Sequence, residues 1–224
     1  MNIDVQHITK IYGGGDNQVT ALDGASMRID TGDFISIMGP SGSGKSTLLH
    51  IISGLDHPTS GTVLYDGTDI HRGSDKKISA FRRRNIGFIF QQFNLLPVLT
   101  ARENIAMPLL LDKKQLDEGY LLQLSDLLGI TDRLSHLPHE LSGGQQQRVA
   151  VARALIAQPD IIFADEPTGN LDSKSGAETM EMLCSLRREL NKTLVIITHD
   201  IRIASMADRR FTIIDGILTE VTPL

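Results

Sequence analysis

The chain has no tryptophan and a single cysteine, and aromatic residues fill only 4% of its 224 positions. The few aromatics are scattered, which speaks against a platform on which single-stranded bases stack. One thiol cannot close an internal disulfide. Cys184 stands in an apolar pattern with Met180 and Leu183, so a buried thiol in a reducing compartment is expected, with no redox chemistry. Long apolar runs are missing too, and the opening MNIDVQHITK lacks the charged start and apolar core of a secretory signal. Neither a membrane span nor export is expected. There is no excess of positive charge: 22 Lys and Arg against 27 Asp and Glu leave a formal −5, which offers no general attraction to nucleic acid or anionic lipid. The one basic run, Arg82-Arg83-Arg84, reads as a solvated face beside a helix end. No internal repeat and no low-complexity segment interrupts the chain. What remains is ordinary globular composition, 41% apolar and 22% charged, at a length that suits one large domain or two small ones.

The first thirty-eight residues alternate strand-like pieces with turns: IDVQHITKIY, a Gly13-Gly14-Gly15 break, VTALDGASMRI, a Thr31-Gly32 turn and DFISIM. That pattern predicts an antiparallel start. An apolar strand then runs into a glycine-rich loop and a helix, STLLHIIS, stopped by Gly54, which is a strand-loop-helix unit of parallel-sheet type. Three later runs, IGFIF (86–90), DIIFADE (160–166) and TLVIITHD (193–200), are apolar at nearly every position and read as strands buried on both faces of a parallel sheet. Between the first two, TARENIAMPLLL opens with a T-x-x-E capping box at Thr100 and Glu103, and DEGYLLQLSDLLGI has helical spacing up to Gly129. Residues of about 93–157 are therefore expected to form a helical insertion in a single domain spanning 1–224. RRFTIID, Gly216 and ILTEV form a closing hairpin.

The run Gly39-Pro40-Ser41-Gly42-Ser43-Gly44-Lys45-Ser46 matches G-x-x-x-x-G-K-[ST] and sits between a strand and a helix, the context that makes it a phosphate-binding loop. Its glycines let backbone N–H groups curl around phosphate oxygens, Lys45 brings a point charge to the outer phosphates, and the Ser46 hydroxyl can ligate magnesium. IIFADE ends its strand in two carboxylates that alternation turns in different directions: Asp165 suits a magnesium-bound water and Glu166 an attacking water. A D-E pair in that place can also be a solvated turn. In LSGGQQQR, Ser142 and Gln145 have capping-box spacing, while Gly143 and Gly144 leave the helix's first N–H groups uncovered, so an anion can dock there. The plain alternative is a well-capped helix and nothing more. His136 and His139 have H-x-x-H spacing, but Pro138 lies between them and no carboxylate completes a metal motif.

With phosphate loop, LSGGQ, IIFADE and a histidine after the third buried strand in this order and spacing, the chain resembles the ATP-binding subunits of ABC transporters over essentially its whole length. The resemblance implies a P-loop NTPase fold of α/β class, with a mostly parallel core sheet, an N-terminal antiparallel β subdomain and a helical insertion subdomain. It implies ATP and Mg2+ as ligands, with Tyr12 stacking on adenine and Gly39, Pro40, Ser41, Gly42, Ser43, Gly44, Lys45, Ser46 and Thr47 around the phosphates. Gln91 reaches the metal and senses a membrane partner, although its neighbour Gln92 competes for that role, and Tyr12 competes with a plain sheet-edge reading. Ser46, Gln91 and Asp165 form the metal set; Lys45, Glu166 and His199 the catalytic set, with Glu166 polarising water and His199 contacting the terminal phosphate. The resemblance further implies that Asp172 lies at a dimer interface, that two copies face head to tail so that Ser142, Gly143, Gly144 and Gln145 of one cap the nucleotide held by the other, and that closure and opening move an integral membrane permease. The implied place is the cytoplasmic face of the bacterial inner membrane, as a peripheral subunit without nucleic acid.

The stretch FQQFNLLPVLTARENIAMPLLL, with the chain expected to carry no appended domain, is similar to the lipoprotein-release, macrolide-export and antimicrobial-peptide-resistance group. Gly169-Asn170-Leu171-Asp172 in place of the commoner Ser-Ala-Leu-Asp fits that group. Such a subunit drives an exporter or extractor of peptide, lipoprotein or drug-like molecules; the alternative is the gating of a membrane regulator, for example of a cell-wall hydrolase. The coiled coil or zinc module of a DNA-working relative is missing, and the two ATPase units of a translation-associated one do not fit in this length.

Overall fold

The computed structural model describes residues 1–221, with Asp16 by its backbone alone, and these form two compact units. The first holds residues up to Arg82 together with those from Thr193 on; the second is Arg83–Lys192.

In the first unit β1 (Ile3–Tyr12) pairs antiparallel with β2 (Val19–Ile29), the two runs separated by the three-glycine break. Register shifts follow Val5, Ile8 and Lys10, so these strands are bulged, and His7 takes a positive φ of 50° within the first irregularity. β3 (Phe34–Met38) leaves this sheet altogether. Its first four residues are buried, and it pairs parallel with β8 (Thr193–Ile197) on one side and β9 (Arg209–Ile214) on the other. All five residues of β8 are buried, as expected of a strand covered on both faces. β10 (Ile217–Val221) turns back antiparallel on β9 through Asp215 and Gly216, both at positive φ, and α7 (Ile201–Ala204) follows β8.

After the phosphate loop come α1 (Lys45–Ile52), β4 (Ser60–Tyr65) and β5 (Thr68–Asp69). β4 returns to pair antiparallel with β1, Val5 opposite Val63, giving the order β2-β1-β4-β5. The antiparallel sheet is thus not purely N-terminal: half its strands follow the phosphate loop. The sequence alone defines no strand over residues 55–85.

The chain passes along α2 (Asp75–Asn85) into the second unit, where β6 (Ile86–Ile89) and β7 (Ile161–Asp165) pair in parallel, Ile86 opposite Ile161. Four further helices are α3 (Ala101–Leu111), α4 (Glu118–Leu127), α5 (Gly143–Leu155) and α6 (Ser173–Glu189). Each begins at a side-chain cap: the Thr100–Glu103 box, Asp117, the Ser142–Gln145 box and Asp172. The helix α5 is the apolar centre, with Val149, Ala150, Val151, Ala152, Ala154 and Leu155 all buried.

Candidate nucleotide site

In the first unit the loop between β3 and α1 curls around the Lys45 side chain. Lys45 is 8% exposed, and its ammonium donates to the carbonyls of Gly39 at 2.9 Å and Pro40 at 2.7 Å. Those two bonds hold the cation over the loop. Gly44, the N-cap of α1, has φ 106° and no side chain to spend on the first turn, so the helix start faces the loop as bare backbone. A Cβ at Gly44 would lie 2.2 Å from the Ala21 carbonyl oxygen of β2, so the position requires glycine twice over. Ser46 and Ser41 are exposed, whereas the Ser43 hydroxyl is buried without a hydrogen-bond partner among the described residues.

Tyr12 closes β1 and is 42% exposed. Its hydroxyl donates to Asp56 at 2.8 Å, and Lys10 donates to the other oxygen of the same carboxylate while standing 4.8 Å from the ring centroid. Partial burial, then the Asp56 carboxylate, push the Tyr12 phenol above its ordinary value. Lys10 and Asp56 were not legible as site neighbours, although strand alternation puts Lys10 and Tyr12 on one face of β1. His199 is exposed directly after β8, in a Thr198-His199-Asp200 turn whose Asp200 N–H donates to the Thr198 hydroxyl at 3.0 Å.

In the second unit Gln91 and the loop after β7 meet. The Asn170 side-chain amide donates to the Gln91 carbonyl at 2.9 Å, and a Cβ at Gly169 would stand 2.9 Å from the Gln91 amide nitrogen. The departure from Ser-Ala-Leu-Asp therefore has local consequences: glycine leaves room for the glutamine, and asparagine ties it down. Asp165 is the last residue of β7, and both it and Glu166 are half-buried. Glu166 takes φ 45°, a left-handed backbone that departs from the strand geometry on which alternation rests. Strain of this kind persists where the surroundings fix it and is common at working sites.

The Ser142 hydroxyl accepts from the Gln145 N–H at 3.3 Å while the Gln145 side chain accepts from the Ser142 N–H at 2.9 Å, closing the expected box. Room for side chains at Gly143 and Gly144 is bounded by Leu171 and Ser175, both 3.7 Å from an added Cβ. Next to them Asp172 accepts from the Ser175 hydroxyl at 2.6 Å and from the N–H groups of Lys174 and Ser175. Those bonds, the Ser175 hydroxyl foremost, hold the Asp172 carboxyl below its usual range.

Other sequence readings resolve into structural roles. Arg82 donates to the Gly54 carbonyl, and Arg83 and Arg84 both face Asp112, so the basic run is paired rather than merely solvated. Cys184 is half-buried, not buried, on α6. His136 has Arg133 as a neighbour, Nη1 to Nε2 at 3.5 Å.

A profile of the family described as ABC transporter matches residues 22–169. An uncharacterized ABC transporter ATP-binding protein of Methanocaldococcus jannaschii is 47% identical, covering 98% of both chains. The lipoprotein-releasing system ATP-binding protein LolD of Geobacter metallireducens is 45% identical over 96% of both. The macrolide export ATP-binding/permease protein MacB of Bdellovibrio bacteriovorus is 46% identical over 96% of this chain, which spans only 33% of that larger protein. Among solved structures, the dimeric post-hydrolysis state of an M. jannaschii ATP-binding cassette with ADP and Pi superposes with a TM-score of 0.88. It is 42% identical and covers 99% of this chain and 100% of that one. The chain belongs to the ABC transporter family. Within it, the protein is an ATP-binding subunit and an ATPase, similar to the lipoprotein-release and macrolide-export group. Among the described residues no helix is long and apolar enough to cross a membrane.

Proposed function

We propose that two copies of this chain close head to tail on ATP, each phosphate loop holding a triphosphate that the other copy's Ser142 turn covers. The observation that carries the reading is the pairing of two unlike anion seats in one sequence. One has its lysine gathered in by the loop's own carbonyls; the other is a capped, double-glycine helix start whose motif, Leu141 to Gln145, carries no lysine. The second seat becomes useful when another chain brings the lysine. Residues 1–224 then act as one ATPase domain, with 93–157 as its helical subdomain.

In this reading Tyr12 stacks on the adenine with its ring fixed by Asp56, and Gly39 to Thr47 wrap the phosphates. Lys45 leaves its carbonyl partners for the outer phosphates, where its charge offsets theirs. Glu166 orients and polarises the attacking water, and His199 donates to the terminal phosphate as charge develops. Asp172, held ionised at the head of α6, contributes to the interface beside the partner's site. Magnesium suits the donors present, which are the exposed Ser46 hydroxyl, the Gln91 amide and the Asp165 carboxylate. All are hard oxygen ligands, and no group of three His, Cys, Asp or Glu among the described residues makes a dedicated cage. That is the pattern of an ion that keeps waters and is shared with phosphates. When bound it neutralises charge on the β- and γ-phosphates.

Closure and opening drive an integral membrane permease, with the chain peripheral on the cytoplasmic side. The names of the relatives favour an exporter or extractor of lipoprotein or drug-like molecules over gating of a membrane regulator. The shared site is tested with two chains that are each inactive, Lys45→Ala and Ser142→Arg. A mixed dimer has one doubly damaged site and one intact site, so mixing restores ATPase activity. Mixtures as silent as their components, in samples shown to form mixed dimers, contradict the shared site.

A further inference from the structure

The nine residues between Gln91 and α3 contain no helix or strand, yet side chains from α3, α5 and the loop after β7 fasten this segment at fixed points. Asn170, after β7, holds the Gln91 carbonyl. Asn104 of α3, fully buried, accepts from the Leu96 N–H at 2.8 Å and donates to the carbonyls of Leu96, Leu99 and Thr100. Between these anchors stands the least comfortable backbone of the segment: Phe93 and Asn94 are consecutive left-handed residues, φ 51° and 50°. Asparagine tolerates that region, but phenylalanine rarely enters it.

What holds this kink is Arg153, in the last turn of α5. Its guanidinium donates to the Phe93 carbonyl at 2.6 Å and to the Asn94 carbonyl at 2.5 Å, one nitrogen to each. The residue is a lone charge among buried neighbours Val151, Ala152, Ala154 and Leu155, and burial pulls its pKa down to about 10. A planar fork with two diverging donors matches two successive carbonyls as a single amine does not. Ser142 lies eleven residues earlier on the same helix, about 16 Å along a rigid rod.

We propose that Arg153 is a positioning residue for Gln91, fastening the segment that carries the glutamine to the far end of the helix whose start is the Ser142 turn. A shift of α5 when that turn meets nucleotide is thereby delivered to Gln91 two residues away from the clamp. The inference rests on the reading of Gln91 as a metal contact, and the experiment separates the two. Mn2+ affinity is measured by electron paramagnetic resonance on the full chain with a non-hydrolysable ATP analogue, for Gln91→Ala, Arg153→Ala, Arg153→Gln and the double variants. Thermal melting is recorded alongside, and Arg153→Gln, which keeps one donor, serves where Arg153→Ala does not fold.

Removing an outer-shell orienting partner lowers metal affinity by about 10-fold or more. That loss is expected for the Arg153 variants, with the doubles no weaker than Gln91→Ala alone, whatever the melting temperatures. Parental Mn2+ affinity in folded Arg153 variants, beside a weakened Gln91→Ala, overturns the role of Arg153 and leaves that of Gln91. Losses that add in the doubles overturn it as well. An unchanged Gln91→Ala overturns both readings together.

Discussion

Alanine at Gly44 and alanine at Gly42 separate two physical demands of the phosphate loop. Both glycines have positive φ, 106° and 77°, so either substitution incurs the left-handed penalty of about 1–2 kcal/mol for an L-residue. At Gly42 nothing lies within 4 Å of the added carbon, and that penalty is the whole effect. At Gly44 the carbon falls 2.2 Å from the Ala21 carbonyl oxygen and 3.1 Å from a Leu22 methyl. The first of these is main chain of β2 and cannot swing aside. Overpacking of a fixed neighbour adds about 1–3 kcal/mol, so Gly44→Ala is expected to lose about 2–5 kcal/mol in total. Urea unfolding of both variants with and without ATP measures the difference at equilibrium. Gly44→Ala no less stable than Gly42→Ala, without nucleotide, refutes the close approach of loop and strand.

Glu166→Gln keeps ATP binding but lowers turnover by about 100- to 10,000-fold, the usual loss of a positioned base; steady-state ATPase with equilibrium binding checks it, and turnover within threefold of the parent removes Glu166 from the chemistry. Ser142→Ala removes the cap of α5 and lowers stability by about 1 kcal/mol in denaturant unfolding. Asp172 has a depressed pKa, so what it contributes to the start of α6 is complete above the ordinary aspartate range and is lost as pH falls through its lowered value. Carboxyl NMR titration shows this directly: Ser175→Ala raises the Asp172 midpoint, and an unmoved midpoint rejects the hydroxyl as its main cause.

The parts of the fold legible in the sequence are those with strong punctuation or full burial. The ends of β1 and β2 follow from the glycine break, β8 from four apolar residues in succession, Leu194 to Ile197, and the starts of α3 and α5 from T-x-x-E and S-x-x-Q. The stretch 55–85 was illegible for the opposite reason. β5 is two residues long, and α2 buries only Ile78, so its helical period carries almost no apolar signal. The motif residues themselves were visible by spacing; their supports were not. Arg153, Asn170 and Asp56 act on backbone or side chains 59, 79 and 44 positions away, where no local pattern reaches. A lone arginine inside the apolar run of α5 was the one sign available.

The claim that the nucleotide site is shared is tested most directly by sedimentation velocity of Glu166→Gln, with and without ATP, beside the double variant Glu166→Gln/Ser142→Arg. The single variant is expected to sediment as a monomer alone and as a dimer with ATP, and the double variant as a monomer in both conditions although it still binds ATP. A double variant that dimerises with ATP as fully as the single one, or a single variant that stays monomeric at saturating ATP, contradicts the claim.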